Sequence, residues 1–318
     1  MPRDPIQQRQ QIEDQIIEAA WAYYHDDLNQ SEIAEKLGLS RATVVNYLGE
    51  ARRREYVRIS LSPDVFRERQ ISSELREKFG LKECLVVPTG ETGDQTLSRV
   101  ARAASDWLPQ LLARGDRLGV SWGETIFKVS QYAERRPIPE IEIVQLVGSM
   151  TTPLGFAAET CSANLAQKFD ATCINLHAPL LVEQPGLAEM LRAEPVIARQ
   201  LDAVRTCNKV LFAAGSCEPD SHVVRCGLVS LDLLEAYKAR GAQAVISGRF
   251  IDAEGNAILG EMDNRIIGAD IAQMKGKDVA LLVSAGLDRV DPILATMRAG
   301  ITTHLVTCSA TAAALLNT

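Results

Sequence analysis

Side chains that donate hydrogen bonds to polyanions are concentrated between residues 29 and 58. Arg41, Thr43, Asn46 and Tyr47 recur on one side of a predicted helix, opposite an apolar stripe. Side chains of these types reach base edges and phosphate oxygens in a DNA groove. Four arginines follow at the end of that helix and just beyond it, namely Arg52, Arg53, Arg54 and Arg58. The residues that we expect to contact DNA are Gln30, Ser40, Arg41, Thr43, Asn46, Tyr47, Arg52 and Arg53.

A second group of small and polar residues follows predicted strands in the rest of the chain. The run from Gly119 to Thr125 comes directly after an apolar strand pattern and opens a helix. Backbone N–H groups at a helix start, together with the hydroxyls of Ser121 and Thr125, suit a phosphate or the hydroxyls of a sugar. A plain strand-to-helix turn explains the same run equally well. Gly148 and Ser149 follow the next strand in a similar but weaker pattern.

Three isolated residues extend this second group, and each also has a purely structural interpretation. His177 follows a strand and could reach a ligand hydroxyl, or it could be a hydrogen-bonded structural residue. Asp252 could accept hydrogen bonds from two hydroxyls of a polyol, or it could cap a turn. Arg289 could pair with an anion or be exposed to solvent. The candidate ligand-binding residues are Gly119, Ser121, Trp122, Gly123, Glu124, Thr125, Gly148, Ser149, His177, Asp252 and Arg289.

Two short helices joined by a turn must position the first group. Asn29 can cap the first helix, and Glu32 three residues later completes a capping box. Gly38 is a helix stop, and Ser40 caps the second helix. That helix has a buried stripe formed by Val44, Leu48 and Ala51. The pattern predicts a helix-turn-helix, with a helix over residues 7–25 packed under it and a short wing-like strand over 57–61.

The second group requires a different architecture, in which apolar strands alternate with helices. A predicted helix over residues 64–79 leads into strand patterns near 84–87, 117–121, 141–147, 172–176, 209–213, 244–246, 279–283 and 304–307. Such alternation predicts a mostly parallel α/β sheet covered on both faces, with ligands bound at the carboxyl ends of its strands. We therefore expect a helix-turn-helix DNA-binding domain over 1–60 and an α/β effector-binding and oligomerisation domain over 61–318.

Composition excludes several classes of protein. The net charge is −7, so the basic edge is local, and a single DNA-binding module would bind weakly. This favours a dimer or a higher oligomer. Seven scattered cysteines without CxxC spacing suggest reduced thiols in a cytosol and no metal site. The polar N-terminus and the lack of an apolar run of about 18 residues predict neither a signal peptide nor a membrane span.

Taken in order, these motifs resemble the SorC family of bacterial transcriptional regulators. The resemblance rests on the helix-turn-helix, the Gly119–Thr125 loop, residues 146–148, residues 250–255 and the C-terminal segment 299–307. It implies a tetrameric repressor or activator without a cofactor, whose C-terminal domain resembles sugar-phosphate isomerases. It further implies that the Gly119–Thr125 loop and the Asp252 turn line a pocket for a sugar, a polyol or their phosphates. In that family a lysine is usual near the position of Arg289, and an acidic residue is common at the position of Cys308. These two departures leave an unphosphorylated sugar or polyol as a possible effector.

Two further interpretations remain open at this stage. A sugar-phosphate isomerase or deaminase with an appended N-terminal module would need a general base and a matching acid. Asp252 and Glu124 are candidates, with His177 as a partner, although sequence order does not reveal a constellation. Alternatively, the N-terminal helices could only pair subunits of a scaffold protein. The regulator is the leading hypothesis because it explains both groups of residues.

Overall fold

The chain divides into two units between Leu61 and Ser62 in this computed structural model, which describes residues 5–150 and 156–318. The N-terminal unit consists of helices α1 (Pro5–Tyr24), α2 (Gln30–Leu37) and α3 (Arg41–Arg53). The predicted helix-turn-helix is present. Its small core joins α1 to the other two helices and contains Ala19, Ala22, Ile33, Val44 and Leu48.

The helix boundaries in this unit follow the predicted caps. The Asn29 side chain accepts from the Ser31 and Glu32 N–H groups, and Glu32 in turn accepts from the Asn29 N–H. Gly38 ends α2 in the left-handed region, with φ of 64°. Ser40 caps α3 by accepting from the Thr43 N–H at 3.1 Å. Local side-chain chemistry thus fixes where both helices begin and where the first one ends.

The predicted wing-like strand over residues 57–61 is wrong. After Arg53 the chain turns at Glu55, whose φ is 57°, and then continues without regular structure to Ser62. The described part of the N-terminal unit contains no strand to pair with, so the alternating pattern of Val57, Ile59 and Leu61 has no ladder to join. Ile59 and Leu61 consequently remain exposed.

The C-terminal unit is built on a seven-stranded parallel sheet and a separate three-stranded antiparallel sheet. The ten strands in chain order are β1 (Glu83–Val87), β2 (Arg117–Val120), β3 (Glu142–Gln145), β4 (Thr172–Ile174), β5 (Lys209–Phe212), β6 (Gly215–Ser216), β7 (Ala244–Ile246), β8 (Arg249–Ile251), β9 (Val279–Val283) and β10 (His304–Cys308). The parallel sheet has the order β1-β10-β9-β5-β2-β3-β4, and β6-β7-β8 form the antiparallel sheet. The mostly parallel α/β fold is therefore confirmed.

Helices cover both faces of the large sheet. They are α4 (Pro63–Arg67), α5 (Gln70–Phe79), α6 (Gly93–Trp107), α7 (Glu124–Tyr132), α8 (Ala158–Phe169), α9 (Pro185–Ala193), α10 (Pro195–Arg205), α11 (His222–Arg225), α12 (Leu231–Lys238), α13 (Val290–Arg298) and α14 (Ser309–Leu316). Within β1, Cys84 and Val86 join one core cluster, whereas Leu85 and Val87 join another. Burial on both faces explains why the parallel strands read as continuous apolar runs. No helix in the described ranges is long and apolar enough to cross a membrane.

Two elements differ from the sequence prediction. The single helix expected over residues 64–79 is broken into α4 and α5, because Arg69 adopts an extended backbone and donates to the Val86 carbonyl at 2.7 Å. Ser72 also donates to the Phe66 carbonyl across the break, at 2.7 Å. The second difference lies in the antiparallel sheet, because strands β6 and β8 were not predicted.

Candidate functional site

The exposed face of α3 is the candidate nucleic-acid surface. Val44, Leu48 and Ala51 are buried, whereas the side chains of Arg41, Asn46 and Arg52 are exposed. Arg41 Nε donates to Gln30 Oε1 at 3.4 Å, which joins two of the predicted contact residues. The side chains on this face therefore include a guanidinium and an amide that could reach base edges.

Two of the predicted contact residues are turned toward structural partners instead. Tyr47 is half-buried among apolar residues of α1 and donates its hydroxyl to Gln15 Oε1 at 3.2 Å, so the expectation that it faces DNA is wrong. The Thr43 hydroxyl lies 2.8 Å from the Ser40 hydroxyl, within the helix cap. Packing of α1 against α3 decides the orientation of Tyr47, and the cap of α3 decides that of Thr43.

The arginine cluster is less basic than its sequence indicates. Arg53 pairs with Glu50, Arg54 pairs with Glu50 and Glu13, and Arg58 pairs with Glu55. Arg52 forms no ion pair within the described part of the chain, and its Nε donates to the Leu48 carbonyl at 3.4 Å. Among the four arginines, Arg52 therefore has the charge that is most available for a phosphate.

A cavity of about 240 Å³ lies at the carboxyl ends of three adjacent strands, β2, β5 and β9, in the C-terminal unit. The order of the strands reverses here. Strands β3 and β4 lie on one side of β2, whereas β5, β9 and β10 lie on its other side. Crevices of open α/β sheets form at such switch points, outside the carboxyl ends of the strands.

The β2–α7 loop forms one wall of this cavity. Ser121, Trp122, Gly123, Glu124 and Thr125 all line it, as their sequence pattern predicted. Gly123 has φ of 103°, a conformation that glycine adopts without strain, and it leads directly into α7. The first turn of a helix leaves backbone N–H groups without intrahelical acceptors. The start of α7 therefore offers donors and a positive dipole end to a ligand.

A tight turn between β7 and β8 forms a second wall. Ser247 and Gly248 have φ of 51° and 83°, the signs that a type I′ hairpin turn requires. The turn brings Ser247 Oγ within 3.2 Å of Ser121 Oγ, and both hydroxyls are buried. Two hydroxyls from different sheets thus meet at the floor of the cavity.

His222, on the short helix α11, has the least satisfied polar atom that borders the cavity. Its Nε2 is buried and has no hydrogen-bond partner among the described residues. The ring packs edge-on against Trp122, with centroids 5.0 Å apart, and lies near Phe156. Burial, followed by the nearby charges of Arg225 and Arg289, lowers the pKa of His222 to about 4. The imidazole is therefore neutral at pH 7 and offers one ring nitrogen to a ligand.

Charges of both signs surround the cavity. Arg289 lines it and pairs through Nε with Asp288 Oδ2 at 2.9 Å, while its Nη1 lies 3.5 Å from the Ala214 carbonyl oxygen. Arg225 also lines the cavity, as do two residues of opposite charge, Glu124 and Asp220. Because Arg289 is fixed at the cavity by these contacts, an anionic group would meet a preformed cation.

Several predicted ligand residues do not line this cavity. Gly119 lies inside β2, where a Cβ would collide with Leu146. Gly148 lies against the Pro179 carbonyl, and its lack of a side chain lets the two backbone segments approach each other closely. Ser149 and His177 border a separate cavity.

The contacts of Asp252 and His177 favour their structural interpretations. The Asp252 carboxylate accepts from the Glu254 and Asn256 N–H groups and from Asn256 Nδ2, so it caps its own turn. The residues of that turn are not among those that line the cavity. The His177 N–H donates to Gln200 Oε1, and its Nδ1 lies 2.6 Å from Gln200 Nε2. Cys308 is also absent from the cavity wall and is buried at the start of α14.

Ser247, His222 and Arg225 are among the cavity-lining residues that sequence reasoning missed. Ser247, followed by Gly248, stands between two short apolar runs, which is a recognisable hairpin signal. His222 and Arg225 carry no comparable signal, because only the path of the chain after β6 brings them to the cavity. No group of three or more potential metal ligands occurs in the described ranges.

Comparison with known proteins agrees with this architecture. The Sugar-bind family model, described as "Putative sugar-binding domain", matches residues 63–317. The transcriptional regulator YjhU of Escherichia coli K12 is 32% identical over 322 residues, covering 99% of this chain and 98% of that protein. The deoxyribonucleoside regulator of Bacillus subtilis is 29% identical, covering 95% and 96%. The full-length sorbitol operon regulator SorC of Klebsiella pneumoniae has a similar fold, with a TM-score of 0.75 at 22% identity and coverage of 99% and 100%.

Proposed function

The chain belongs to the SorC family of sugar-binding transcriptional regulators, and we propose that it senses its effector in the cavity between β2, β5 and β9. The observation that carries this proposal is a convergence of polar groups at one place. The N–H groups that start α7, the unpartnered Nε2 of His222 and the guanidinium of Arg289 all border a cavity of about 240 Å³.

The chemistry of the wall suits a compound rich in hydroxyl groups. The hydroxyls of Ser121 and Ser247 can both donate and accept hydrogen bonds. The neutral imidazole of His222 can donate or accept through Nε2, depending on its tautomer. The Trp122 ring lies beside them and offers an apolar surface to the C–H face of a sugar ring. Arg289 and the start of α7 add a place for a phosphate or carboxylate. We therefore propose a sugar, a polyol or a sugar phosphate as the effector.

We propose that Arg41 and Asn46 read bases and that Arg52 contacts a phosphate. Their exposure on α3 supports these roles. Gln30 and Ser40 would act mainly by holding Arg41 and the start of α3, and Arg53 would contribute less because Glu50 already pairs with it. The domain roles follow, with DNA binding in residues 1–60 and effector binding and oligomerisation in 61–318.

We also propose a homotetramer that acts in the cytoplasm. Support for oligomerisation comes from the weak local charge, because three of the four clustered arginines already have ion pairs and a single helix-turn-helix would bind DNA poorly. Seven free cysteines, six of them buried, are consistent with a reducing compartment. The effector would act by binding one arrangement of the oligomer more tightly than another.

The enzyme alternative receives little support. Of the three candidate catalytic groups, Glu124 lines the cavity, whereas Asp252 caps a turn elsewhere and His177 borders a different cavity. A general acid and base would need to lie within hydrogen-bonding reach of one substrate. The predicted trio is not brought together in this chain.

A thermal-shift screen of the full-length protein tests the proposed site. The panel contains pentoses, hexoses, their polyols and their phosphates, since a ligand that binds the folded state raises the melting temperature. A hit should be lost in His222→Phe and kept in His177→Phe, which alters the other cavity. A hit that survives His222→Phe at full strength, or silence across the panel, would contradict the proposal. Loss of a phosphate hit in Arg289→Gln would identify the anion position.

A further inference from the structure

The exposed face of α3 contains an apolar residue that the predicted contacts leave unexplained. Val45 is 45% exposed, although it lies between buried Val44 and the half-buried Tyr47. It follows Arg41 by one helical turn and directly precedes Asn46. Val45 is therefore at the centre of the surface that the proposed function places in the DNA groove.

The described core of the N-terminal unit does not account for a valine here. The buried stripe of α3 is Val44, Leu48 and Ala51, and Val45 belongs to neither core cluster of the N-terminal unit. A β-branched residue also has a lower helix propensity than alanine or a long straight side chain. Stability of the helix therefore favours other residue types at this position.

The surface beside Val45 is open. Gly49, one turn later, would meet no atom within 4 Å if it had a Cβ. A glycine inside a helix is unfavourable for the helix itself, so its lack of a side chain also has no local benefit. Together the two residues leave a low apolar surface next to the Asn46 amide, which a groove wall can approach closely.

The major groove presents one apolar group on its base edges, the C5-methyl of thymine. Asparagine on the same helix face pairs with the N6 and N7 atoms of adenine. We propose that Val45 is a specificity-determining residue that contacts the methyl group of a thymine within one base-pair step of the adenine read by Asn46. This inference rests on the proposed DNA-binding function and adds the base and the atom that are recognised.

Replacement of thymine by deoxyuridine isolates this contact, because it removes only the methyl group. A binding site is first selected with the full-length protein from a library of random DNA duplexes, and an Asn46→Ala selection locates the adenine. Each neighbouring thymine is then replaced in turn by deoxyuridine, and affinity is measured by fluorescence anisotropy. One replacement should weaken wild-type binding by about three- to tenfold, the lower part of the range for a base contact.

A double-mutant cycle assigns the effect to Val45. Val45→Ala should weaken binding to the thymine duplex by a similar factor and should not respond further to deoxyuridine at that position. Val45→Thr keeps a methyl group and should still respond. The matched control is Val65→Ala, which shortens another exposed valine, 58% exposed, in the C-terminal unit.

The outcomes separate this inference from the function on which it rests. If selection yields no preferred sequence, both the DNA-reading function and the inference fail. If a sequence is selected but no nearby deoxyuridine affects wild-type binding, the inference alone is overturned. Equal sensitivity to deoxyuridine in wild type and Val45→Ala would overturn it as well.

Discussion

The hydroxyl oxygens of Ser121 and Ser247 lie 3.2 Å apart, although 126 positions separate the two residues in the chain. Ser121 follows a central strand of the parallel sheet, and Ser247 occupies the turn of the antiparallel one. Their contact ties both sheets to one cavity. A ligand that binds both hydroxyls would therefore contact both substructures at once.

Asp252→Ala should destabilise the protein without affecting effector binding. The carboxylate accepts three hydrogen bonds within its own turn. Their loss at a partly exposed position should cost about 1–2 kcal/mol of unfolding free energy, measured by urea denaturation. Asp252→Asn should recover part of this loss. A more than tenfold loss of effector affinity in folded Asp252→Ala would instead return Asp252 to the binding site.

Stability should fall as the pH is lowered through the range in which buried histidines become charged. Burial, with nearby cations, lowers the pKa of both His222 and His304 to about 4 from the ordinary 6.5. Between these values the unfolded state binds more protons, so stability is highest above pH 6.5 and decreases toward pH 4. Each histidine should contribute a loss of about 2 kcal/mol between pH 7 and pH 5. Urea denaturation of His222→Phe should show a correspondingly smaller pH dependence of the unfolding free energy. An unchanged pH dependence would refute the contribution of His222.

Arg52→Ala should weaken binding to all DNA sequences alike, since a phosphate contact carries no base information. The slope of log affinity against log salt should flatten by about one unit. Arg53→Ala is the matched control, because Glu50 already pairs with the Arg53 guanidinium and its slope should change less. Identical slopes for the two variants would show that the ion pair does not decide which arginine contacts the backbone.

Asn46→Ala should relax base preference at one position of the binding site. Loss of a bidentate contact should cost about 1–3 kcal/mol against the preferred base and little against the others. Binding-site selection with the variant, compared with wild type, measures this preference directly. A uniform loss at every base position would assign Asn46 to the backbone instead.

Features governed by neighbouring residues could be predicted from the sequence. The capping box of Asn29 and Glu32 and the stop at Gly38 are interactions within one turn, so the local pattern contains them. The parallel strands are buried on both faces and therefore stand out as apolar runs. The strand-to-helix pattern drew attention to Ser121–Thr125, which line the cavity, although the pattern alone fitted a plain turn equally well.

Features governed by packing between distant segments could not be predicted. The sequence predicts Tyr47 as a DNA contact, whereas in the structure its hydroxyl donates to Gln15 of α1. His222 reaches the cavity only through the path of the chain after β6, which no local pattern specifies.

The most direct test of effector control is the coupling between the cavity and DNA affinity in the full-length protein. The selected duplex is titrated by fluorescence anisotropy with and without a saturating compound from the thermal-shift panel. We expect DNA affinity to change at least tenfold, and DNA to change effector affinity by the same factor, as linkage requires. In His222→Phe the effector concentration needed should rise more than tenfold, while DNA affinity without effector stays unchanged and His177→Phe behaves as wild type. A bound effector that leaves DNA affinity unaltered at saturation would contradict the account.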